Sequence, residues 1–453
     1  VNFRIADRIG RRRETIPLNH VDYLWLVLED LMPSMGQIIT LRFKTRHGVG
    51  EMAAALRHMM RIYPRLRHLV RPVLCTYRLE ILNDTEIDGY FQGIFTVETG
   101  VPYESDAFMH RRKLFLNRGF DLERELPLRA LYFPDHDNPT LLLSLHHITC
   151  DGMGWRHLVD SLMAFLNGKT MMPLSVEDNR IYSSFLERPL SRVPRQLFRA
   201  WKNNRENVMR SRQGKPFVYS LKNAYPVFGP TDMHEQDLSS GLVVLKEASR
   251  RYGCTITVLL MAALALTMEE LDSSNQGGDT AHVHFLIDLR PFMKQPAPVF
   301  GNYIISGLVR VHKAIFSDHR ALVNAVKEQL RYNLEQAEKK NIIIPILINS
   351  LIKVVGRRLS VYIARIIEKK GMLSFAYVFS NMGNLGSLNR HGPGAVLKSA
   401  NATVSQQGIF FVTSCIGNTM NMVFSYPERE VSRKEIQYII DVFEKHLKKL
   451  TEM

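Results

Sequence analysis

Cysteine is scarce in this chain, with 4 among 453 residues. Cys75, Cys150, Cys254 and Cys415 stand too far apart for a CxxC zinc pattern or a small disulfide-stapled scaffold. Reduced thiols in a cytosolic protein are the simplest reading. Long apolar runs are missing as well. The two longest, residues 256–268 and 342–352, fall short of the roughly 20 residues that span a bilayer. Pro345 and Asn349 interrupt the second, and Pro345 argues against one unbroken helix there. The polar, charged start, with Arg11, Arg12 and Arg13, has no secretory pattern. Acidic residues are in deficit: 44 Asp and Glu against 59 Lys and Arg leave a net charge of +15. Such a balance favours an acidic partner: nucleic acid, an anionic membrane, a nucleotide-bearing cofactor or an acidic carrier protein. Zinc-finger spacing and RNP-type aromatics are absent and the basic residues are dispersed, which argues against nucleic acid.

What is present is a short motif. His146-His147-Ile148-Thr149-Cys150-Asp151-Gly152 reads HHxxxDG. It follows the apolar run 141–145, a buried strand by its length. It precedes Trp155, Leu158, Val159, Leu162 and Phe165, which have helical spacing. Two histidines therefore stand at a strand end, with an Asp-Gly turn leading into a helix. Histidine is the natural general base near neutral pH. The same residues are also compatible with a metal site, but neighbours on a strand point to opposite faces and no HExxH or third ligand is visible. Cys150 invites a Cys/His nucleophile reading, and a small buried residue explains it equally.

Along the chain, residues 38–43 read as a strand and residues 52–63 as a helix that Pro64 ends. Residues 180–217 carry Arg195, Arg199, Lys202, Arg205, Arg210 and Arg212 among Leu197, Phe198, Trp201 and Val208. A lobe-connecting helix with a solvated outer face is favoured over a membrane-lying one. Gly253 stops a polar helix, and Thr255 or Thr257 caps a buried one. His282 and His284 share a strand face and simply alternate with apolar residues. Residues 408–414 and 421–426 read as a hairpin. Ser432 and Glu435 form a capping box for a final helix.

The motif in this setting resembles the chloramphenicol-acetyltransferase-like superfamily, which holds condensation domains, polyketide-associated acyltransferases and alcohol acyltransferases. Weaker matches fall in the same order: Pro17 to Tyr23, Tyr63-Pro64-Arg65-Leu66-Arg67, Gly253 onward, Arg290 with Gly301-Asn302, and Ser380-Asn381-Met382-Gly383. The DFGWG motif of the plant branch is absent. The resemblance implies an α/β chain of two lobes forming a V around a central active-site tunnel. The expected divisions are 1–178 for the lobe with the motif, 179–217 for a basic connector and 218–453 for the second lobe. It implies His147 as the base that deprotonates an alcohol or amine acceptor, which then attacks a coenzyme A or carrier-protein thioester. Gly152 would place a backbone N–H at the oxyanion. His146, Asp151 and Arg290 would be structural, with Arg290 paired to Asp151. Trp155, Asn302, Ser380 and Asn381 are candidate substrate contacts, and no metal is needed.

The implied co-substrate is an acyl-coenzyme A or a phosphopantetheine-linked acyl thioester, with no permanently bound cofactor. The implied partners are a small-molecule or lipid acceptor and an acidic acyl carrier protein. A peptide-forming condensation enzyme and a catalytically silent binding module are the alternatives. Residues 342–348, followed by Lys353, Arg357, Arg358, Arg365, Lys369 and Lys370, admit peripheral contact with an anionic membrane. Their continuous apolar run favours a core helix lining the acceptor half of the tunnel.

Overall fold

The computed structural model describes residues 13–32, 34–73, 76–172, 174–176, 184–211, 214–219, 229–272, 277–293, 299–369, 377–405 and 408–452. Arg11, Arg12, Cys75, Arg212 and Lys370, named above, lie outside these residues, as do residues 180–183 of the connector stretch.

Two mixed sheets organise the chain. The motif strand, Thr140–His146, is buried at every position, as its mostly apolar sequence leads one to expect. It lies at the centre of a five-stranded sheet ordered Leu397–Val404, Gly36–Phe43, Thr140–His146, Leu128–Phe133, Phe95–Val97. The second sheet has six strands, ordered Ile304–His312, Thr280–Asp288, Tyr377–Asn384, Ile409–Ile416, Thr419–Pro427, Thr231–Asp237. Helices cover each sheet and give each its own apolar core. The architecture is the expected α/β pair of lobes.

Local chemistry sets most element ends where the sequence placed them. Thr255 accepts the Val258 N–H and starts Ile256–Glu270, which is apolar on all sides and buried from Val258 to Met268. Gly253 closes the preceding helix in a left-handed conformation, φ 59°, at little steric cost. Ser432 and Glu435 exchange the hydrogen bonds of a capping box. The expected hairpin is Ile409–Ile416 with Thr419–Pro427. The connector helix, Val193–Ser211, buries Gln196 and Ala200 and exposes Arg195, Arg199 and Arg205, but it also exposes Phe198 and Trp201.

Two features go beyond what the sequence conveyed. First, residues 218–453 supply one strand to the sheet of the other lobe. The strand Leu397–Val404 leaves the second lobe and pairs with Gly36–Phe43 in the first. It also ties the two sheets together: Ser414 Oγ donates to the Ala400 carbonyl, and the Thr403 and Ser425 hydroxyls share a 2.7 Å hydrogen bond. A period-two strand pattern fixes which face is buried but not which sheet accepts the strand. Second, Pro345 does not break its helix. Ile343–Val355 starts just before it, so Pro345 falls in the first turn, where a missing N–H costs nothing. Among the described residues no single helix is long and apolar enough to cross a membrane.

The crossing strand makes the first lobe dependent on the second. A fragment of residues 13–217 leaves the long edge of Gly36–Phe43 unpaired. In urea it should unfold without a cooperative transition, followed by circular dichroism, whereas the full chain should show one. A sharp two-state transition for the fragment would contradict this dependence.

Candidate active site

The motif loop is held by one carboxylate. Asp151 is the N-cap of the helix Gly152–Leu166, and its Oδ1 accepts the Gly154 N–H at 3.0 Å. The same carboxylate receives both Arg290 Nη atoms, at 2.9 and 3.1 Å, and the Tyr303 N–H at 2.7 Å. Asp151 is wholly buried and does not line the cavity described below. Arg290 completes its fork on the carbonyls of Val299 and Gly301 and on Asp288. This is the pairing expected for Asp151 and Arg290. Gly154 is required for the same turn, because a Cβ there would sit 2.4 Å from the Cys150 Cβ.

The two histidines have different surroundings. His146 is fully buried. Its Nε2 faces Glu29 at 2.9 Å and its Nδ1 accepts the Ile148 N–H, a structural arrangement. His147 turns to the other side, as alternation demands. It lines a cavity of about 490 Å³ between the two sheets. Its main chain is fixed at both ends: its N–H donates to the Met35 carbonyl, and its carbonyl accepts from Asn302 Nδ2, each at 2.8 Å. Its ring stacks on Trp25, with centroids 3.9 Å apart. Burial pushes the imidazole down to about 4. The ring is therefore neutral near pH 7 and able to accept a proton.

The cavity is mostly apolar. Trp25 and Leu28 of the helix His20–Glu29, with Met32 just beyond its end, form one wall, and Leu286, Val378 and Phe410 of the second sheet form another. Gly152, Trp155, Ser380 and Met382 lie on the same surface as His147. Gly152 is the first residue of the motif helix, where backbone N–H groups lack intrahelical partners and the helix dipole is positive. A developing negative charge beside His147 would be favoured there. Gln37 and His284 add polar groups to the lining. His284 therefore does more than alternate along its strand.

Not every candidate meets the cavity. Asn302 is buried in a polar network behind His147, bonded to Asp22 Oδ1 as well as to the His147 and Ile148 carbonyls. Asn381 bonds Thr257 and the Gly383 N–H and does not line the cavity. Neither Asn302 nor Asn381 is among the residues that line the cavity. Cys150 is fully buried, and burial pushes its thiol up, so the thiolate nucleophile reading fails. Among the described residues no three His, Cys, Asp or Glu side chains cluster as a metal site.

Sequence reasoning missed the supporting shell. The buried ion pair Asp22–Arg65, 2.7 Å, underlies the motif loop through Asn302 and the Ile148 carbonyl. Both residues sit in segments already noted for resemblance, so their pairing was the missing inference. Trp25 and Gln37 carried no signal: one lies in an apolar stretch and the other just before the strand read at 38–43.

The chain has the two-lobe fold of condensation domains and of an O-acetyltransferase of known structure. The first condensation domain of the calcium-dependent antibiotic synthetase, solved with a substrate analogue, matches with a TM-score of 0.68 at 13% identity, over 98% of this chain and 97% of that one. TRI3 trichothecene 15-O-acetyltransferase from Fusarium sporotrichioides matches with the same TM-score, identity and coverage. No protein-family model matches the chain. A probable non-canonical nonribosomal peptide synthetase, CymA, from Salinispora arenicola is 25% identical over 282 residues, 57% of this chain. That match spans 3% of the synthetase's own length.

Replacing Arg290 with Met should cost roughly 3–5 kcal/mol in urea unfolding, because Asp151 is left charged and buried. Adding Asp151→Asn should recover part of the loss. A loss under about 1 kcal/mol for Arg290→Met would show that the pair does not hold the loop.

Proposed function

We propose that this chain transfers an acyl group from a thioester to a hydroxyl or amine, with His147 as general base. The observation that carries the reading is a neutral imidazole, fixed at its main chain and stacked on Trp25, facing an apolar cavity between two lobes. His147 takes the acceptor proton as the acceptor oxygen or nitrogen attacks the thioester carbonyl carbon. The negative charge that forms on the carbonyl oxygen is met by the backbone donors at Gly152. The C–S bond then breaks, and the imidazolium returns its proton to the departing thiolate. The step requires no metal.

The donor we propose is coenzyme A or a carrier-protein phosphopantetheine thioester. The net charge of +15 suits the phosphates of the first and the acidic surface of the second. The apolar lining suits a hydrophobic acyl chain or acceptor. Amide formation in the manner of condensation domains is the second reading, favoured by the sequence match to a peptide synthetase. A binding module without activity is disfavoured by the intact His147, Asp151 and Arg290 arrangement.

Release of free thiol from a panel of acyl-coenzyme A and acyl-carrier thioesters, with alcohol and amine acceptors, tests this reading. His147→Ala should lower kcat/KM by about 10²–10⁴-fold for whichever pair is turned over. His147→Ala with near-full activity would overturn the assignment. No thiol release by the native chain from any pair would favour the module.

A further inference from the structure

The helix Ile343–Val355 and the next helix, Arg357–Lys369, form a hairpin with two unlike faces. The inner face is packed. Ile343 and Ile346 are fully buried, and Ile346 lines the cavity that holds His147. Arg357 grips Asp30 with two hydrogen bonds, at 2.8 and 2.9 Å, and fixes the hairpin to the C-terminal end of the helix His20–Glu29. The outer face is apolar and open. On the first helix, Leu347, Ile348, Leu351, Val354 and Val355 are exposed, with Val354 at 80%. Their spacing is that of a single helical stripe. On the second, Leu359, Tyr362, Ile363 and Ile366 repeat the pattern, with Tyr362 at 63%. Single exposed hydrophobic residues are ordinary, but two contiguous stripes mark an interaction surface.

The charges around the stripes indicate the partner. Arg358 and Arg365 are exposed beside Tyr362, and residues 343–367 contain no Asp or Glu. The connector helix Val193–Ser211 packs against Ile343–Val355. It exposes Phe198 and Trp201, with centroids 6.0 Å apart, among Arg195, Arg199, Lys202 and Arg205. Aromatic rings with basic neighbours beside an open apolar stripe match a surface that rests in the headgroup region of a bilayer. Two copies of this face brought together would set arginine against arginine, which opposes self-association.

We propose that this hairpin, with the connector helix beside it, docks the chain on an anionic lipid surface. Apolar side chains enter the acyl boundary, and the arginines meet the negative headgroups. Ile346 then lies on the inner side of the same helix, so the reaction cavity adjoins the membrane-facing element. The docking itself does not depend on the acyl-transfer reading.

The test is sedimentation of the full chain with phosphatidylcholine vesicles, with and without phosphatidylserine. Binding is expected to the anionic vesicles and to weaken with added salt. Arg358→Glu with Arg365→Glu should weaken it at least about tenfold. Leu351→Ser with Val354→Ser should abolish it. Both double variants should keep the native melting temperature, because the altered side chains are exposed. They should also keep thiol release with a water-soluble acceptor, if the native chain shows it. Absence of thiol release in every form would strike the proposed reaction and leave the vesicle result intact. No binding to anionic vesicles, or binding that both double variants retain, overturns the proposal. So does a stable dimer that these variants dissociate while vesicles bind none of the forms.

Discussion

The buried pair of Asp151 and Arg290 is the constraint on which the site depends. A lone carboxylate with no exposure would be costly, so Asp151 fixes whatever neutralises it. Its two oxygens are shared among a helix N-cap, an arginine fork and the Tyr303 N–H. Arg290 and Tyr303 come from the second lobe, whereas Asp151 belongs to the first. The motif can take this shape only when the lobes are together. Asn302 extends the same logic, because its side chain bridges the His147 carbonyl to Asp22, and Arg65 neutralises Asp22. The ring of His147 is therefore positioned by polar contacts that stand behind it, away from the cavity.

This division explains the apolar character of the reaction space. Charge and hydrogen bonding are spent on the far side of the loop, and Trp25, Leu28, Trp155 and Phe410 remain to face the cavity. Such a lining lowers the basicity of the imidazole and keeps it unprotonated. It also strengthens any interaction between the Gly152 backbone and a developing oxyanion, since little water competes. The mixed face of the 343–369 hairpin extends the same economy outward: one side of a helix closes the cavity, and the other is left apolar.

Much of this was legible in the sequence. HHxxxDG at a strand end marked His147 and its turn, and Arg290 with Gly301-Asn302 marked the partner strand. Gly253, Thr255 and Ser432 marked helix ends through local chemistry that needs no tertiary context. Long-range choices were not legible. The period-two pattern of residues 397–404 could not reveal that this strand pairs with residues 36–43. The continuous apolar run from Ile342 favoured a core helix, and this holds for Ile343 and Ile346. With nearly every position apolar, the pattern could not show that Leu351 and Val354 face outward. Trp25 was ordinary in an apolar helix, and only the fold brings it to His147.

The most direct test of the central claim is the protonation state of His147 itself. With histidine rings labelled by ¹⁵N, an NMR titration of the native chain, assigned by the His147→Ala spectrum, reports it. The buried base should have an apparent pKa near 4, well below the usual 6.5, and so remain neutral from pH 5 to 8. Occupation of the cavity by an unreactive acyl thioester analogue should shift its ring resonances and leave those of His146 nearly unchanged. A His147 midpoint near 6.5, with no response to the analogue, would contradict a buried base in the reaction cavity.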